Sequence, residues 1–196
     1  MTRLNPDAAE LLVIIVITGS VGSGKTTLSQ ALADVLHCKY INLGDYLVSK
    51  GLVTGRDRRR GSVIVKEGCL DELLDSCLII ETIYPDLLSC IDPDLVVVLK
   101  CDPEELYRRL RDRYSPEDIV ENIEADVTDV FTIEAVNAFG ESRIMEVDTT
   151  DIKVEDEVKL VLNALSGSIK LPVFVRRGLD IYIKLNNIRR KLFSSE

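Results

Sequence analysis

The feature that most constrains this chain is a glycine-rich loop that directly follows an apolar segment. Residues 11–17 are seven Leu, Val and Ile residues in succession, which is typical of a strand buried on both faces. Residues 19–26 match the pattern Gly-x-x-x-x-Gly-Lys-Ser/Thr, and residues 24–36 then have the periodicity of an amphipathic helix. A strand over residues 11–18, this loop and this helix together predict a phosphate-binding loop within an α/β fold.

Each residue type in this loop suits the binding of a phosphate chain. The glycines let the backbone curl so that successive N–H groups point at one anion, and the start of the helix adds the positive end of its dipole. Lys25 is expected to reach the outer phosphates, and the Thr26 hydroxyl is placed for Mg²⁺. The predicted cofactor-binding residues are Gly19, Gly22, Ser23, Gly24, Lys25, Thr26 and Thr27.

Further apolar segments alternate with helix signals along the chain. Each strand candidate is rich in Val, Ile or Leu, and helical patterns separate the candidates. This alternation predicts an α/β fold with a five-stranded parallel sheet flanked by helices. The strands are predicted at residues 11–18, 39–43, 78–81, 95–100 and 143–147.

The remaining helices are predicted from capping residues and amphipathic spacing. Asp102 and Ser115 each precede a proline and two acidic residues, which is the pattern of a helix N-terminus. The second signal opens a long helix whose predicted buried face consists of Ile119, Ile123, Val127 and Val130. The other helices are predicted at residues 45–50, 67–75, 102–112 and 154–165.

Two groups of arginines are candidates for binding an anionic substrate. The first group consists of Arg56, Arg58, Arg59 and Arg60. It is either a solvated face or a clamp for an acceptor phosphate, which arginine binds with paired hydrogen bonds. The second group consists of Arg108, Arg109, Arg111 and Arg113, after the strand at residues 95–100, and helix C-termini favour basic residues even without a ligand. Arg109 and Arg113 lie one helical turn apart. They are predicted to close on a transferred phosphoryl group, because ligands bind beyond the carboxyl ends of parallel strands.

Acidic residues follow several of the predicted strands. Glu81 ends the strand at residues 78–81; it is either a surface acid or, with Thr26, part of a Mg²⁺ site that also orients water. Asp45 either faces the acceptor or caps the next helix. Residues 148–150 either cap a helix or form a backbone wall beside the base of the donor.

Charge is distributed unevenly between the body of the chain and its C-terminal end. The net charge is −9, yet residues 169–196 carry seven basic and two acidic residues, which leaves −14 on the rest. The Ser-Gly-Ser sequence at residues 166–168 is typical of a linker. We therefore expect a phosphate-binding α/β domain at residues 1–166 and a basic extension at residues 167–196. The extension either packs on the acidic body or binds an anionic or protein partner.

Short patterns predict structure within this extension. Residues 173–175 read as a strand. One face of a helix is predicted to consist of Leu179, Tyr182, Ile183, Leu185 and Ile188. Both predictions depend on apolar spacing alone.

Composition excludes several other classes of protein. The five cysteines form no Cys-x-x-Cys pair and are odd in number, which predicts free buried thiols in a reducing compartment. A single histidine, His37, argues against a histidine-rich metal site, and 5% aromatic residues without Trp argue against a base-stacking nucleic-acid binder. No apolar stretch reaches the roughly 18 residues of a membrane span, so a cytoplasmic protein is expected.

Several of these elements occur in the order found in one known family. They are the phosphate-binding loop, Tyr-Ile-Asn-Leu-Gly-Asp at residues 40–45, Glu81, residues 113–115, and Glu-Asn-Ile-Glu-Ala at residues 121–125. Over residues 13–165 the chain resembles the small archaeal and eukaryotic adenylate-kinase-like proteins that also assist assembly of the small ribosomal subunit. The resemblance implies a P-loop nucleoside-monophosphate-kinase fold with a short lid, ATP and Mg²⁺ as donor and cofactor, AMP as acceptor, ATPase activity, and a small-subunit ribosomal protein or rRNA as partner.

The resemblance also assigns residues to parts of the site. It places residues 42–45 and 56–60 in the acceptor-binding region, and Arg109 and Arg113 in the lid. The predicted catalytic residues are Lys25, Arg109 and Arg113, of which Arg109 is also predicted to bind ATP. The predicted acceptor-binding residues are Asp45, Arg56, Arg59, Arg60 and Glu81.

One position departs from the family pattern. Relatives commonly carry an acid-x-His arrangement after the third strand, and here Ile83 stands where that histidine is expected. Isoleucine cannot accept a proton or orient water, which argues against ATP hydrolysis uncoupled from AMP. Two alternatives to an adenylate kinase stay open: a nucleotide-switched ribosome assembly factor with little kinase activity, and a kinase for another small acceptor such as CMP.

Overall fold

The computed structural model describes residues 3–4, 11–51, 53–56, 63–65 and 77–194. Its strands are β1 (Arg3–Leu4), β2 (Leu11–Leu12), β3 (Ile14–Gly19), β4 (Lys39–Asn42), β5 (Val53–Arg56), β6 (Val63–Val65), β7 (Leu78–Glu81), β8 (Leu95–Lys100) and β9 (Ile144–Asp148). Its α-helices are α1 (Lys25–Leu36), α2 (Leu43–Ser49), α3 (Pro103–Leu110), α4 (Pro116–Val127), α5 (Val130–Phe139), α6 (Val154–Leu165) and α7 (Asp180–Phe193).

Five of the described strands form a parallel sheet in the order β4-β7-β3-β8-β9, which confirms the predicted five-stranded parallel sheet. The strand before the phosphate-binding loop is central and pairs with β7 on one side and β8 on the other. After β3 the chain adds β4 and β7 on one side of this strand, and it then adds β8 and β9 on the other side. A crevice forms beyond the carboxyl end of β3, where these connections diverge. The phosphate-binding loop therefore lies in the crevice, as expected for this fold.

Hydrophobic layers cover both faces of the sheet. Ile15 and Ile17 of β3 pack with Leu28 of α1 and Val161 of α6 on one face, whereas Val16 points to the opposite layer with α5. Side chains alternate between the faces because the strand period is two. Covering by helices on both sides explains why these strands are apolar throughout.

Two predicted elements are interrupted in the structure. The predicted strand at residues 11–18 is divided, because Leu11–Leu12 pairs antiparallel with Arg3–Leu4 and the sheet strand begins at Ile14. The long helix predicted from Ser115 ends at Val127, and a second helix begins at Val130. Asp129 between them has φ 58°, a left-handed conformation that Asp tolerates better than most residues. Its carboxylate pairs with Lys100 at 2.7 Å, which stabilises the break.

The prediction that the cysteines are free is wrong for two of them. Cys38 and Cys77 form a disulfide, with their Cα atoms 4.8 Å apart. Each immediately precedes a sheet strand, and those strands are neighbours with Lys39 opposite Leu78. The two cysteines meet because β4 and β7 are neighbours in the sheet, and the order of strands cannot be read from the spacing between cysteines. Of the other described cysteines, Cys90 and Cys101 are free.

The C-terminal residues pack on the body through both backbone and side chains. Val173 forms an isolated parallel bridge with Met145 of β9, in place of the strand predicted at residues 173–175. Lys184 pairs with Asp102 at 2.6 Å, and Arg189 pairs with Glu124. These contacts agree with the expectation that the basic extension meets acidic residues of the body.

The extension is helical as predicted, but the predicted face is partly wrong. Leu185 and Ile188 are buried, together with Ile181, which the prediction missed. Leu179 and Ile183 are 81% and 62% exposed, and Tyr182 is also exposed. The buried positions share spacings of three and four residues, which is the helical repeat. In the part of the chain that the structure describes, no helix is long and apolar enough to cross a membrane.

Candidate functional site

The phosphate-binding loop has the conformation that its glycines were predicted to allow. Gly19 and Gly22 have φ of 139° and 85°, values that residues with a side chain rarely adopt. A Cβ atom at Gly19 would lie 2.6 Å from the carbonyl oxygen of Leu99. A Cβ atom at Gly22 would lie 2.9 Å from the side chain of Leu110. The loop therefore needs glycine here for two reasons, backbone angle and close packing.

Lys25 lies at the centre of this loop. Its ammonium group donates hydrogen bonds to the carbonyl oxygens of Gly19, at 3.0 Å, and Ser20, at 2.8 Å. The side chain is largely buried, with 7% of the residue exposed. Burial lowers the pKa of Lys25 to about 8, although the carboxylates of Glu81 and Asp126 act in the opposite direction. A buried cation of this kind is well suited to meet an anion.

Glu81 links the loop to the neighbouring strand. Its carboxylate accepts hydrogen bonds from the Thr26 hydroxyl at 2.8 Å and from the Tyr40 hydroxyl at 2.5 Å. Burial, together with this carboxylate, raises the pKa of Tyr40 to about 12. The structure thus brings together Thr26 and Glu81, the two predicted metal ligands. Tyr40 was not predicted to belong to the site, and only the pairing of β4 with β7 could have indicated it.

Arg109 of helix α3 contacts the phosphate-binding loop through hydrogen bonds. Its guanidinium donates to the carbonyl oxygens of Gly22 at 3.1 Å and Thr149 at 2.8 Å, and to Glu105 at 2.7 Å. Hydrogen bonds from Arg108 and Arg109 lower the pKa of the Glu105 carboxyl to about 2. Arginine is the usual choice for several fixed hydrogen bonds, because its planar group presents five donors.

Arg113 and Thr149 complete this wall. Arg113 is exposed and donates one hydrogen bond to the carbonyl oxygen of Arg109 at 3.1 Å. The Thr149 hydroxyl donates to Ser23 at 2.8 Å. Thr149 therefore contacts the loop, and the role of residues 148–150 as a wall beside the base of the donor stays a prediction. The link between α3 and α4 is only five residues long, residues 111–115, which agrees with the expected short lid.

A buried ion pair supports the loop from below. The hydroxyl of Ser20 donates to Asp126 at 3.1 Å, and Asp126 pairs with Arg177 of the C-terminal extension at 2.5 Å. Arg177 also donates to the carbonyl oxygen of Cys101 at 2.5 Å. Burial raises the pKa of Asp126, and the charge of Arg177 opposes this rise. Neither residue was predicted, because three distant segments have to meet before the pair exists.

Two clefts open at this edge of the sheet. The first has a volume of about 640 Å³ and lies over the loop, between Arg109, Thr149 and helix α6. The second has a volume of about 370 Å³ and lies against helix α2. Both clefts are lined by Lys25, Glu81 and Ile83. A molecule in one cleft would therefore meet a molecule in the other at the lysine of the loop.

The predicted acceptor residues are only partly described. Asp45 lines the second cleft, and the helix cap is Asn42, whose side chain accepts from the backbone N–H of Asp45. The cap therefore belongs to Asn42, and Asp45 is left facing the cleft. Arg56 ends strand β5. Arg58, Arg59 and Arg60 lie outside the described residues, as does the helix predicted at residues 67–75.

Comparisons with known sequences identify the family. The model of a family described as an AAA domain matches residues 15–129. A protein named "Putative adenylate kinase" from Saccharolobus solfataricus is 38% identical over 157 residues, which cover 77% of this chain and 82% of that protein. The protein of the same name from Pyrococcus furiosus is 33% identical over 187 residues, covering 87% and 93%. The chain belongs to the archaeal adenylate-kinase-like family of P-loop proteins.

Solved structures with the same fold come from other kinases. Shikimate kinase from Acinetobacter baumannii, in complex with shikimate, superposes with a TM-score of 0.57 at 18% identity, covering 83% of this chain and 97% of that one. Deoxyadenosine kinase from M. mycoides, with bound dATP, gives a TM-score of 0.51 at 17% identity, covering 79% and 100%. These likenesses establish the P-loop kinase fold, and the family membership makes this adenylate-kinase-like chain a nucleotide kinase.

Proposed function

We propose that the protein is an adenylate kinase that transfers the γ-phosphoryl group of ATP reversibly to AMP, giving two molecules of ADP. The observation that carries the proposal is that two clefts meet at Lys25 and Glu81. Phosphoryl transfer requires donor and acceptor in line across one phosphoryl group. Two clefts that share a buried lysine offer this arrangement, whereas a simple nucleotide hydrolase needs only one.

The first cleft suits the donor. It contains the glycine-rich loop, whose N–H groups and helix N-terminus favour a phosphate chain. Lys25 supplies a fixed positive charge for the phosphates, and Arg113 is an exposed cation at the rim that can move towards them. Arg109 already makes three hydrogen bonds, so we assign it to positioning the loop and the donor. Arg113 is then the better candidate to cover the transferred phosphoryl group.

The second cleft suits a nucleoside monophosphate. Its walls combine apolar side chains such as Leu47 and Val48 with the polar side chains of Asn42 and Asp45. An aromatic base is well matched by apolar walls with a few polar groups. The arginines near residues 56–60 remain our candidates for the phosphate of the acceptor, because arginine forms paired hydrogen bonds with phosphate oxygens.

Thr26 and Glu81 are the proposed protein contacts of Mg²⁺. Both present oxygen atoms, which this hard cation prefers, and Mg²⁺ usually takes only one or two protein groups together with substrate phosphates. The two side chains are already hydrogen-bonded to each other, so their oxygens are close enough to serve one ion directly or through water. When bound, the ion would neutralise charge on the phosphates. Glu81 also holds Tyr40, which fixes the orientation of its carboxylate.

In the proposed reaction the chain acts mainly by positioning and by charge. Lys25 lies where the two clefts join, so it can stabilise negative charge on the group in transit. No side chain has to act as a strong base, because the attacking phosphate of AMP is already ionised at neutral pH. Ile83 at the same junction is apolar and helps to exclude water, which favours transfer over hydrolysis.

A coupled assay with Mg·ATP and each of AMP, CMP, GMP and UMP tests this proposal. We expect rapid formation of ADP with AMP and much slower formation with the other acceptors or with none. Lys25→Met should reduce the rate at least 10²-fold, the scale of losing one preorganised contact to developing charge. Lys39→Met, an exposed lysine on β4, is the matched control and should leave the rate unchanged. If transfer is fast only to CMP or to a non-nucleotide acceptor, that molecule is the acceptor and the proposal of AMP is wrong.

A second candidate function is suggested by helix α7. Leu179 and Ile183 are exposed at the start of this helix, and the basic residues of its last turn, Arg190 and Lys191, are exposed at its other end, which suits contact with another macromolecule. This feature favours the expected role in assembly of the small ribosomal subunit, with nucleotide as a switch. ADP release that is slow and indifferent to every acceptor would support this function, and copurification with small-subunit components lost on truncation before α7 would connect it to the helix.

A further inference from the structure

Glu157 of helix α6 is a buried acid that no step of the proposed reaction uses. The residue is 6% exposed, and its side chain lines the first cleft. Among the described residues none donates a hydrogen bond to its carboxyl group; the charge of Arg109 acts on it. Carboxyl groups with so little exposure normally have hydrogen-bond partners, and at the wall of an open cleft either water or a bound molecule can supply one.

The position of Glu157 within the cleft indicates which part of a ligand it meets. The cleft extends from Glu81, at the end of β7, to Thr149 and α6, beyond β9. These strands are three positions apart in the sheet, a distance of about 14 Å. With the phosphate chain held at Lys25, the nucleoside would extend towards α6. The base of the donor would then lie near Glu157.

The surroundings of Glu157 suit a flat aromatic ring. Ile152 and Val154 offer aliphatic surface, and Arg109 offers a planar cation fixed by its hydrogen bonds. Arginine stacks readily on aromatic rings. Contacts of this kind hold any purine equally well, because every base has an aromatic face. A polar group at the edge of the ring is needed to distinguish one purine from another.

We propose that Glu157 selects adenine as the base of the donor by accepting a hydrogen bond from its 6-amino group. The proposal rests on the proposed function in taking ATP as the donor. A 6-oxo purine such as hypoxanthine presents an acceptor at this position instead of a donor, so it loses the hydrogen bond that the 6-amino group gives to the carboxylate, and its N1–H, one ring atom away, is the remaining donor on this edge. A site built to pair a polar group rejects analogues that lack the matching group.

The protonation of Glu157 is compatible with this role. Burial raises the pKa of the carboxyl group to about 7, although Arg109 opposes the rise. Near neutral pH the group therefore occurs both with and without its proton. The carboxylate accepts from the 6-amino group of adenine, and it is the form that disfavours a 6-oxo purine, because a protonated carboxyl can donate to the 6-oxo group.

Equilibrium binding of ATP and ITP tests the inference, because the two differ only in the base. We expect the wild-type protein to bind ATP about tenfold more tightly than ITP, the scale of one hydrogen bond to a buried carboxyl. Glu157→Ala should reduce this ratio to less than twofold. Glu157→Gln, whose amide can accept from the 6-amino group or donate to the 6-oxo group, should reduce the ratio as well. Glu155→Gln, an exposed acid on the same helix, should keep the wild-type ratio.

The inference is overturned if the wild-type protein binds ITP or GTP as tightly as ATP. It is also overturned if folded Glu157→Ala keeps the wild-type ratio. Circular dichroism and a thermal melt establish that each variant is folded. Because the readout is binding rather than transfer, its failure is distinct from that of the proposed function. A protein that prefers ATP through Glu157 but does not phosphorylate AMP would refute only the latter.

Discussion

Replacing Arg177 by methionine should destabilise the protein strongly, because the change leaves a buried charge without its partner. The Asp126 residue is 1% exposed, and Arg177 donates to both its side chain and its carbonyl oxygen. Removing one member of such a buried pair typically costs about 3–5 kcal/mol. We therefore expect the free energy of unfolding of Arg177→Met to fall by about 4 kcal/mol, measured by urea denaturation at pH 7.

The loss of stability in Arg177→Met should depend on pH in a defined direction. Burial already raises the pKa of Asp126 above its ordinary value, and Arg177 opposes that rise. Without Arg177 the pKa of the folded state should rise further. The variant should then lose stability as the pH rises from the unfolded pKa of about 4 towards the folded pKa, and its deficit should be small at lower pH.

Two further variants separate the buried pair from general effects of the extension. Arg176→Met removes an exposed neighbouring charge and should change the free energy of unfolding by less than about 0.5 kcal/mol. The double variant Asp126→Asn with Arg177→Met should recover at least about 1 kcal/mol relative to additivity, since paired residues are coupled. An Arg177→Met protein as stable as Arg176→Met across this pH range would refute the reasoning.

Three other perturbations follow from the site and the sheet. Because burial lowers the pKa of Lys25 to about 8, ATP affinity measured by calorimetry should weaken above pH 8, by up to tenfold per pH unit. Lys25→Met should bind ATP weakly and with less dependence on pH. A wild-type affinity that does not change with pH in this range would contradict the prediction. Glu81→Gln should lower the transfer rate by about 10²-fold while changing metal-free ATP affinity less than threefold; equal losses in both would argue against a metal contact. Replacing both Cys38 and Cys77 by serine opens a loop of 39 residues and should cost about 4 kcal/mol of unfolding free energy; a variant as stable as the oxidised wild type in urea would contradict this.

Local sequence patterns were enough to predict the phosphate-binding loop and its surroundings. The loop at residues 19–26 and the strand and helix around it depend on contiguous residues, and its glycines adopt the expected positive φ values. The meeting of Glu81 with Thr26 could be predicted because parallel strands end at the same edge. These features need no knowledge of how distant segments pack.

Features that depend on tertiary packing could not be predicted from the sequence. The contact of Tyr40 with Glu81 and the disulfide of Cys38 and Cys77 both require that β4 lies beside β7. Helix α7 has apolar residues on several sides, so the sequence alone does not show which side is buried. Its packing on α3 and α4 decides this. The break at Asp129 depends on its pairing with Lys100, which lies 29 residues earlier.

The central claim is that one molecule of donor and one of acceptor meet at Lys25. The most direct measurement is the binding of a bisubstrate analogue, two adenosines joined by five phosphates, which can occupy both clefts at once. The account predicts one analogue per chain, affinity at least 10²-fold tighter than that of ATP, as is usual for such analogues, and competition with both ATP and AMP. An analogue that binds no more tightly than ATP, or that competes with ATP alone, would contradict the account.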